Sequence, residues 1–242
     1  MTRVRVDRVL RVTERVCLED SVRHHVVVVL RRKSGDQLTV VDAAGVSWVS
    51  RIVGVEPLEL EILVQDTSPS ANPEGKLEVW VPLLKGGKTD DLVRQLTELG
   101  ASAVYCYVAS RSVARLEPSK IDRRVARWET IASEATRQCG RTDVPSVHYA
   151  RTLPTSGPGV YLWEAEGPPA AMALSEGVRD GALALLIGPE GGLSVEDASQ
   201  LDQAGWSPAS LGARVLRAET AVLAGATLAM VALNERGYAA LV

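Results

Sequence analysis

Apolar residues follow one rhythm up to about residue 65 and another after it. Over Arg3–Val6, Gln37–Val41, Val46–Val55 and Leu58–Val64 they alternate with polar residues or form β-branched blocks, as in strands with a buried face. The Asp42-Ala-Ala-Gly45 turn joins the second strand to the third, and the set predicts a small β-rich barrel. Between the first two strands lies EDSVRHHVVVVLRRKSGD. Its four consecutive valines favour a strand, but Val22, Val26, Val29 and Leu30 fall at helical spacing. The prediction is a short helix with Arg31, Arg32 and Lys33 in its last turn and Gly35 closing it. His24 and His25 point to different sides in either conformation, which suits a core or RNA-facing histidine better than a metal-binding pair.

Gln65 to Lys76, QDTSPSANPEGK, has no apolar periodicity and is rich in Pro, Ser, Asn and Gly, so it marks a linker between domains at 1–70 and 71–242. Strand and helix patterns then alternate. The strand LEVWVPLL precedes a helix over Asp90–Leu99 with Leu92, Leu96 and Leu99 on one face and Gly100 at its end. After the strand AVYCYVA comes a helix from Lys120 to about Cys139, capped by Ser119 and burying Ile121, Val125, Trp128 and Ala132. GVYLWE and ALALLIG read as strands, Ser194 with Asp197 as a helix start ended by Gly205, and Ala218–Asn234 as a final helix apolar nearly all round. Such alternation predicts an α/β domain built on a mainly parallel sheet with helices on both faces.

With 242 residues, 46% of them hydrophobic, the chain can bury a full core in one large domain or two modest ones, and the change of rhythm favours two. The opening MTRVRVDRVLRV has no long apolar run, so neither a secretory signal nor a membrane span is expected, and the location expected is cytoplasmic. Cys17, Cys106 and Cys139 stand far apart without a Cys-x-x-Cys pair, which points to neither disulfides nor a metal site. The net charge of −3 is unevenly spread: residues 1–55 and 111–151 each carry an excess of four cations, on an otherwise acidic chain. Those two segments form either a phosphate-facing surface or simply solvated arginines.

Several motifs can be set aside. LLKGGKT, Leu83 to Thr89, ends like a phosphate-binding loop but has Pro82 where that pattern needs glycine. No G-x-G-x-x-G or G-x-S-x-G follows a strand, and three histidines give a hydrolytic triad little to draw on. What remains is Gly188-Pro189-Glu190-Gly191-Gly192, whose glycines allow positive φ or close approach to a ligand. With it goes Leu211-Gly212-Ala213-Arg214-Val215-Leu216-Arg217-Ala218-Glu219-Thr220-Ala221, where charged residues flank the start of a buried helix and are costly unless paired or in use. Both stretches follow strand ends, where open α/β sheets place their ligand crevice.

The pair IGPEGGLS and LGARVLRAETA resembles the signature of the RsmE family, the 16S rRNA uridine-N3 methyltransferases of the trefoil-knotted SPOUT class. HHVVVVLRRKSGD, LLKGGKTDDLVRQLTELGA, SRSV at Ser110–Val113 and RWETIASEATRQCGRTDVP are similar to the family as well. The resemblance implies a PUA-like N-terminal barrel that helps hold RNA, a knotted C-terminal domain and a homodimer with each site near the subunit interface. It implies S-adenosylmethionine as donor without a metal, S-adenosylhomocysteine as product, and 16S rRNA, within the small ribosomal subunit, as acceptor. The donor would lie among Leu162, Trp163 and Glu164, the turn Gly188, Pro189, Glu190, Gly191 and Gly192, and Leu211, Gly212, Leu216, Thr220 and Ala221. Arg217, with Arg214 as alternative, would stabilise the developing uracil anion or its phosphate, and Glu219 would orient an arginine or act as base. RNA contacts are expected at Arg31, Arg32, Lys33, Arg111, Arg137, Gln138 and Arg141. Val28 and Gln95 depart from the family pattern, at positions where many members carry an arginine and a lysine. The rivals are a catalytically silent RNA-binding protein and a methyltransferase acting on 23S rRNA or tRNA.

Overall fold

The alternating strands of the first 65 residues do pack around one face. A computed structural model describes residues 3–66, 75–164 and 167–233; most of the expected linker, residues 67–74, lies outside the described residues. The chain divides into two compact units, one of Met1–Asn72 with Thr136–Asp143 and one of Pro73–Ala135 with Val144–Val242. The first unit contains β1 (Arg3–Arg5), β2 (Arg15–Cys17), α1 (Asp20–Arg23), β3 (Gln37–Val41), β4 (Ser47–Val55) and β5 (Leu58–Gln65). Its sheet order is β1-β3-β4-β5-β2, with β1 parallel to β3 and the other pairs antiparallel. Leu38, Val40, Ile52, Leu58, Leu60 and Ile62 fill its core, and two register shifts in β4 bend the sheet into a half-barrel.

The turn after β3 is organised by one buried carboxylate. Asp42 accepts hydrogen bonds from the backbone N–H of Leu10 (3.2 Å), Ala44 (2.9 Å) and Val46 (2.9 Å) and from Trp48 Nε1 (3.1 Å). Burial by itself would raise its pKa, but the four donors outweigh that and hold the carboxyl below its ordinary value.

The helix expected to reach Gly35 stops earlier. From α1 the chain passes directly into a π-helical turn, His24–Val29, whose wider repeat carries Leu30 N–H to His25 O (2.9 Å). Four consecutive β-branched valines crowd a regular α-turn, and the wider turn relieves them. Arg31 then takes φ +53° and ends the helix, so Arg31, Arg32 and Lys33 follow it instead of forming its last turn. Val26 is buried as expected, while Val29 and Leu30 are 57% and 37% exposed because the wider repeat rotates them outward. Both histidines are exposed, which removes the core reading. Gly35 serves instead as the turn into β3, donating to Ile52 O (2.8 Å).

The second unit is a six-stranded sheet in which every neighbouring pair is parallel: β6 (Lys76–Pro82), β7 (Ala103–Tyr107), β8 (Ser146–Ala150), β9 (Gly159–Leu162), β10 (Ala182–Ile187) and β11 (Trp206–Ala209). The spatial order is β11-β9-β10-β6-β7-β8, so the first three strands run outward from β6 and the later ones fill its other side. The helices are α2 (Lys88–Leu99), α3 (Ile121–Cys139), α4 (Ala170–Gly177), α5 (Val195–Gln203) and α6 (Ala218–Leu233). One face of the sheet packs Val79, Val81 and Leu185 against Leu92 and Leu96 of α2, Trp128 of α3, and Val222 and Ala226 of α6. Tyr161, Leu186 and Trp206 pack against Leu201 of α5 on the other.

Local signals set two of the helix ends. Gly100, at φ +103°, closes α2 with N–H bonds back to Thr97 and Leu96 carbonyls from its own and the next residue. Ser194 and Asp197 form a complete capping box on α5. Ser119 is not the cap it was expected to be: Pro118–Lys120 is a 3₁₀ turn with no side-chain cap, and α3 begins at Ile121. Trp128 and Ala132 are fully buried, but Ile121 and Val125 only half so. The expected end of the last helix, Asn234, lies outside the described residues. Among the described residues no helix is long and apolar enough to cross a membrane.

Candidate active site

Three neighbouring parallel strands, β11, β9 and β10, end side by side, and the loops that leave them enclose a cavity of about 570 Å³. The loop after β9 contributes Trp163 and Glu164 beside Leu162, the loop after β10 the turn Gly188–Gly192, and the loop after β11 Leu211, Gly212, Arg214, Leu216 and Arg217. Glu219 and Ala221 of α6 complete that wall, and Lys88, the first residue of α2, closes the cavity. Of the residues expected to hold the donor, Thr220 alone is outside the cavity: it is exposed and lines an adjoining depression with Leu92 of α2 and Leu223 of α6, whose border with the cavity is the pair Lys88 and Glu219.

The backbone of the cradle is fixed from below. Trp163 N–H donates to Ala209 O (2.9 Å) and Ser210 N–H to Pro168 O (2.9 Å), which ties the first loop to the third. Tyr107, fully buried in β7, donates its hydroxyl to Ile187 O (2.8 Å) just before the glycine turn; burial raises its pKa well above the ordinary phenol value, so it stays a donor. Gly192 N–H closes the turn on Pro189 O (2.9 Å). Gly192 has φ +70°, and a Cβ there would overlap the Glu164 carboxylate. A side chain at Gly188 would press on Leu193 Cγ at 3.1 Å. The two glycines thus meet different demands, backbone conformation at one and close approach at the other.

The charges in the cavity are arranged differently from the expectation. Glu219 pairs with Lys88 (Nζ to Oε1, 2.6 Å), not with an arginine. Its hydrogen bond to Lys88 and to its own backbone N–H hold the carboxyl below the usual range, against the effect of burial, and make it a weak proton acceptor. The other oxygen, Oε2, is buried without a hydrogen-bond partner among the described residues. Arg214 and Arg217 line the cavity, are exposed, and join no ion pair among the described residues. Arg217 O accepts the first bond of α6 from Ala221 N–H (2.9 Å), a position where a side chain with an acceptor is normally preferred.

The expected RNA contacts divide. Arg31, Lys33, Arg137 and Gln138 are exposed, and Arg32 is half-buried; all five belong to the N-terminal unit. Arg141 does not join them: it is 3% exposed and makes a two-pronged contact with Asp143 (Nε to Oδ1 3.1 Å, Nη2 to Oδ2 2.6 Å). A buried guanidinium must be paired, and Asp143 of its own turn is a partner. Arg111 is exposed but reaches Gly191 O (3.3 Å), so it supports the glycine turn.

Lys88 is the cavity residue that motif reading passed over, because it sits in the stretch set aside for lacking a phosphate-loop glycine. A signal was available: a cation in the first turn of a helix opposes the helix dipole and needs a partner or a use. Among the described residues no three His, Cys, Asp or Glu stand close enough together to hold a metal ion.

The sequence profile of the RNA methyltransferase domain matches residues 71–230. The chain is 28% identical over 214 residues to the ribosomal RNA small subunit methyltransferase E of Bacillus subtilis, covering 83% of both chains. It is 28% identical over 211 residues to the protein of the same name from Mycobacterium bovis, covering 81% of this chain and 79% of that one. Among solved structures, a ribosomal RNA small subunit methyltransferase E from Neisseria gonorrhoeae bound to S-adenosyl methionine aligns with TM-score 0.79 and 27% identity, over 96% of this chain and 97% of that one. The profile match covers most of the sequence, and the chain therefore belongs to the RNA methyltransferase family, with RsmE-type enzymes as its relatives.

Proposed function

We propose that the protein transfers the methyl group of S-adenosylmethionine to N3 of a uridine in 16S rRNA of the small ribosomal subunit, leaving S-adenosylhomocysteine. The observation that carries this reading is the cavity formed by the ends of β9, β10 and β11. Its walls are apolar at Leu162, Leu211 and Leu216, and its glycine turn offers backbone rather than side chain. A cavity of about 570 Å³ lies within the range of roughly 300–1,000 Å³ that small-molecule sites occupy. The leucines suit a flat base, the exposed N–H and C=O groups its polar edge, and Glu164 an ammonium or hydroxyl group. These residues fit the donor.

When bound, S-adenosylmethionine supplies an electrophilic methyl on a sulfonium sulfur. The chain's own task is to position and to neutralise, since holding two reactants at attack distance supplies much of the acceleration. Arg217, with Arg214 as alternative, meets the uracil anion or the phosphate of the target nucleotide, and its exposure favours the phosphate. Arg31, Arg32, Lys33, Arg137 and Gln138 hold RNA along the N-terminal unit, a PUA-like half-barrel in this reading. The reading also includes the trefoil knot of the SPOUT class, a homodimer with each site near the subunit interface, and action in the cytoplasm.

Mass spectrometry of nucleosides tests the reaction directly, after incubation of the protein with S-adenosylmethionine and small subunits lacking their native modification. New 3-methyluridine in 16S rRNA is the expected product. Donor binding without any methylated 16S base, or methylation of 23S rRNA or tRNA instead, overturns the substrate. The cradle is tested separately by Gly192→Ala, where a left-handed φ costs about 1–2 kcal/mol for any residue with a Cβ. Donor affinity measured by calorimetry should fall about tenfold; an unchanged affinity would remove the glycine turn from the donor site.

A further inference from the structure

We propose that Lys88 is a catalytic residue, the cation that accepts the negative charge of the uracil when N3 gives up its proton. This rests on the reading of the reaction above. Uracil N3–H is not acidic at neutral pH, so the proton must be made easier to lose before N3 has a pair to offer. The proton passes to water, the electron pair stays on N3, and the charge spreads to the two neighbouring carbonyl oxygens. A cation at one of those oxygens stabilises the anion far more than the neutral base and lowers the pKa accordingly.

The geometry points to Lys88 for this work. Its side chain lines the same cavity as the glycine turn, and Glu219 holds its Nζ at 2.6 Å, so the ammonium is fixed before any ligand arrives. Of three ammonium protons, one is directed to Glu219 and two remain to be donated. The side chain is 43% exposed, partly shielded from water yet reachable by a base. Lys88 opens α2 and Glu219 lies in the first turn of α6, so the positive ends of two helices flank the pair. Glu219 is in this arrangement a positioning residue: its carboxyl is held ionised and pins the lysine.

The test is the single-turnover rate of 3-methyluridine formation on unmodified small subunits, measured from neutral to alkaline pH for wild type, Lys88→Met, Lys88→Arg and Glu219→Gln. S-adenosylhomocysteine affinity is measured alongside, as a check on folding and on the donor site. Lys88→Met should lose about 10²–10³-fold at neutral pH. The deficit should shrink about tenfold per pH unit as hydroxide takes over removal of the proton. Lys88→Arg should keep most of the rate, Glu219→Gln should fall between the two, and product affinity should stay within about twofold of wild type in all of them. Small subunits carrying 5-fluorouridine, whose N3 is more acidic, should rescue Lys88→Met selectively. A loss that is uniform across pH and untouched by 5-fluorouridine overturns the assignment. So does a fall in product affinity with an unchanged pH profile, which would place Lys88 on the carboxylate of the donor. If wild type itself forms no 3-methyluridine, the reading of the reaction fails first and this role with it.

Discussion

Arg217→Ala is expected to reduce methyl transfer about 10²–10³-fold while donor affinity changes by less than about threefold. The guanidinium lines the cavity and is exposed, and Glu219, whose carboxyl its charge helps to keep ionised, remains paired with Lys88 when it is removed, so the substitution should not unfold the chain. What disappears is a cation at the entry for RNA. If it grips a phosphate, the salt dependence of RNA affinity also loses close to one counterion, a slope change of about 0.7–0.9 in log–log form. Single-turnover assays, calorimetry with the donor and a salt titration of RNA binding separate these effects. Transfer that survives within a few-fold would pass the role to Arg214.

Asp42→Ala should cost the N-terminal unit about 2–4 kcal/mol at neutral pH. The carboxylate is wholly buried and collects three backbone N–H groups and the Trp48 indole, so alanine leaves four donors without an acceptor. The pH dependence has a definite sign. The native pKa of Asp42 lies below its ordinary value, so its contribution is fully present above the unfolded pKa of about 3.9 and is lost as pH falls through the native value. Urea titrations of wild type and variant should therefore diverge at neutral pH and converge in acid. Equal midpoints at neutral pH would show that backbone geometry alone holds the turn.

What could be read from residue order was whatever one face or one turn decides locally. Leu58, Leu60 and Ile62 alternate because one side of a half-barrel is solvated, so period two survives in the sequence. Ser194 with Asp197, and Gly100 after Leu99, act within a few residues and were predictable for that reason. The glycine turn and the arginine loop were visible because glycines and charges are conspicuous at strand ends. β8 and β11 were not visible. SVHYA mixes polar and apolar residues on an edge strand, and WSPA contains Pro208, tolerated because β11 also lies at an edge. α4, Ala170–Gly177, is short and alanine-rich, with little amphipathic pattern to reveal it. Arg141 looked like an RNA contact because sequence does not reveal that a charge two residues away will bury it. Lys88 was missed for a related reason: its partner, Glu219, lies more than a hundred residues on, and only the fold brings α2 and α6 together.

The N-terminal unit also has a timing built into it. Arg3 donates to Gly140 O, and Arg5 to Thr142 O (3.4 Å), so strand β1 takes two of its hydrogen-bond acceptors from a turn that the ribosome delivers long after β5. Thr136–Asp143 belongs to this unit although α2, β6, β7 and most of α3 are made in between. During synthesis the half-barrel can therefore collapse early but must wait for residue 143 to be sealed. A chain cut in the linker would carry its two leading arginines without their acceptors.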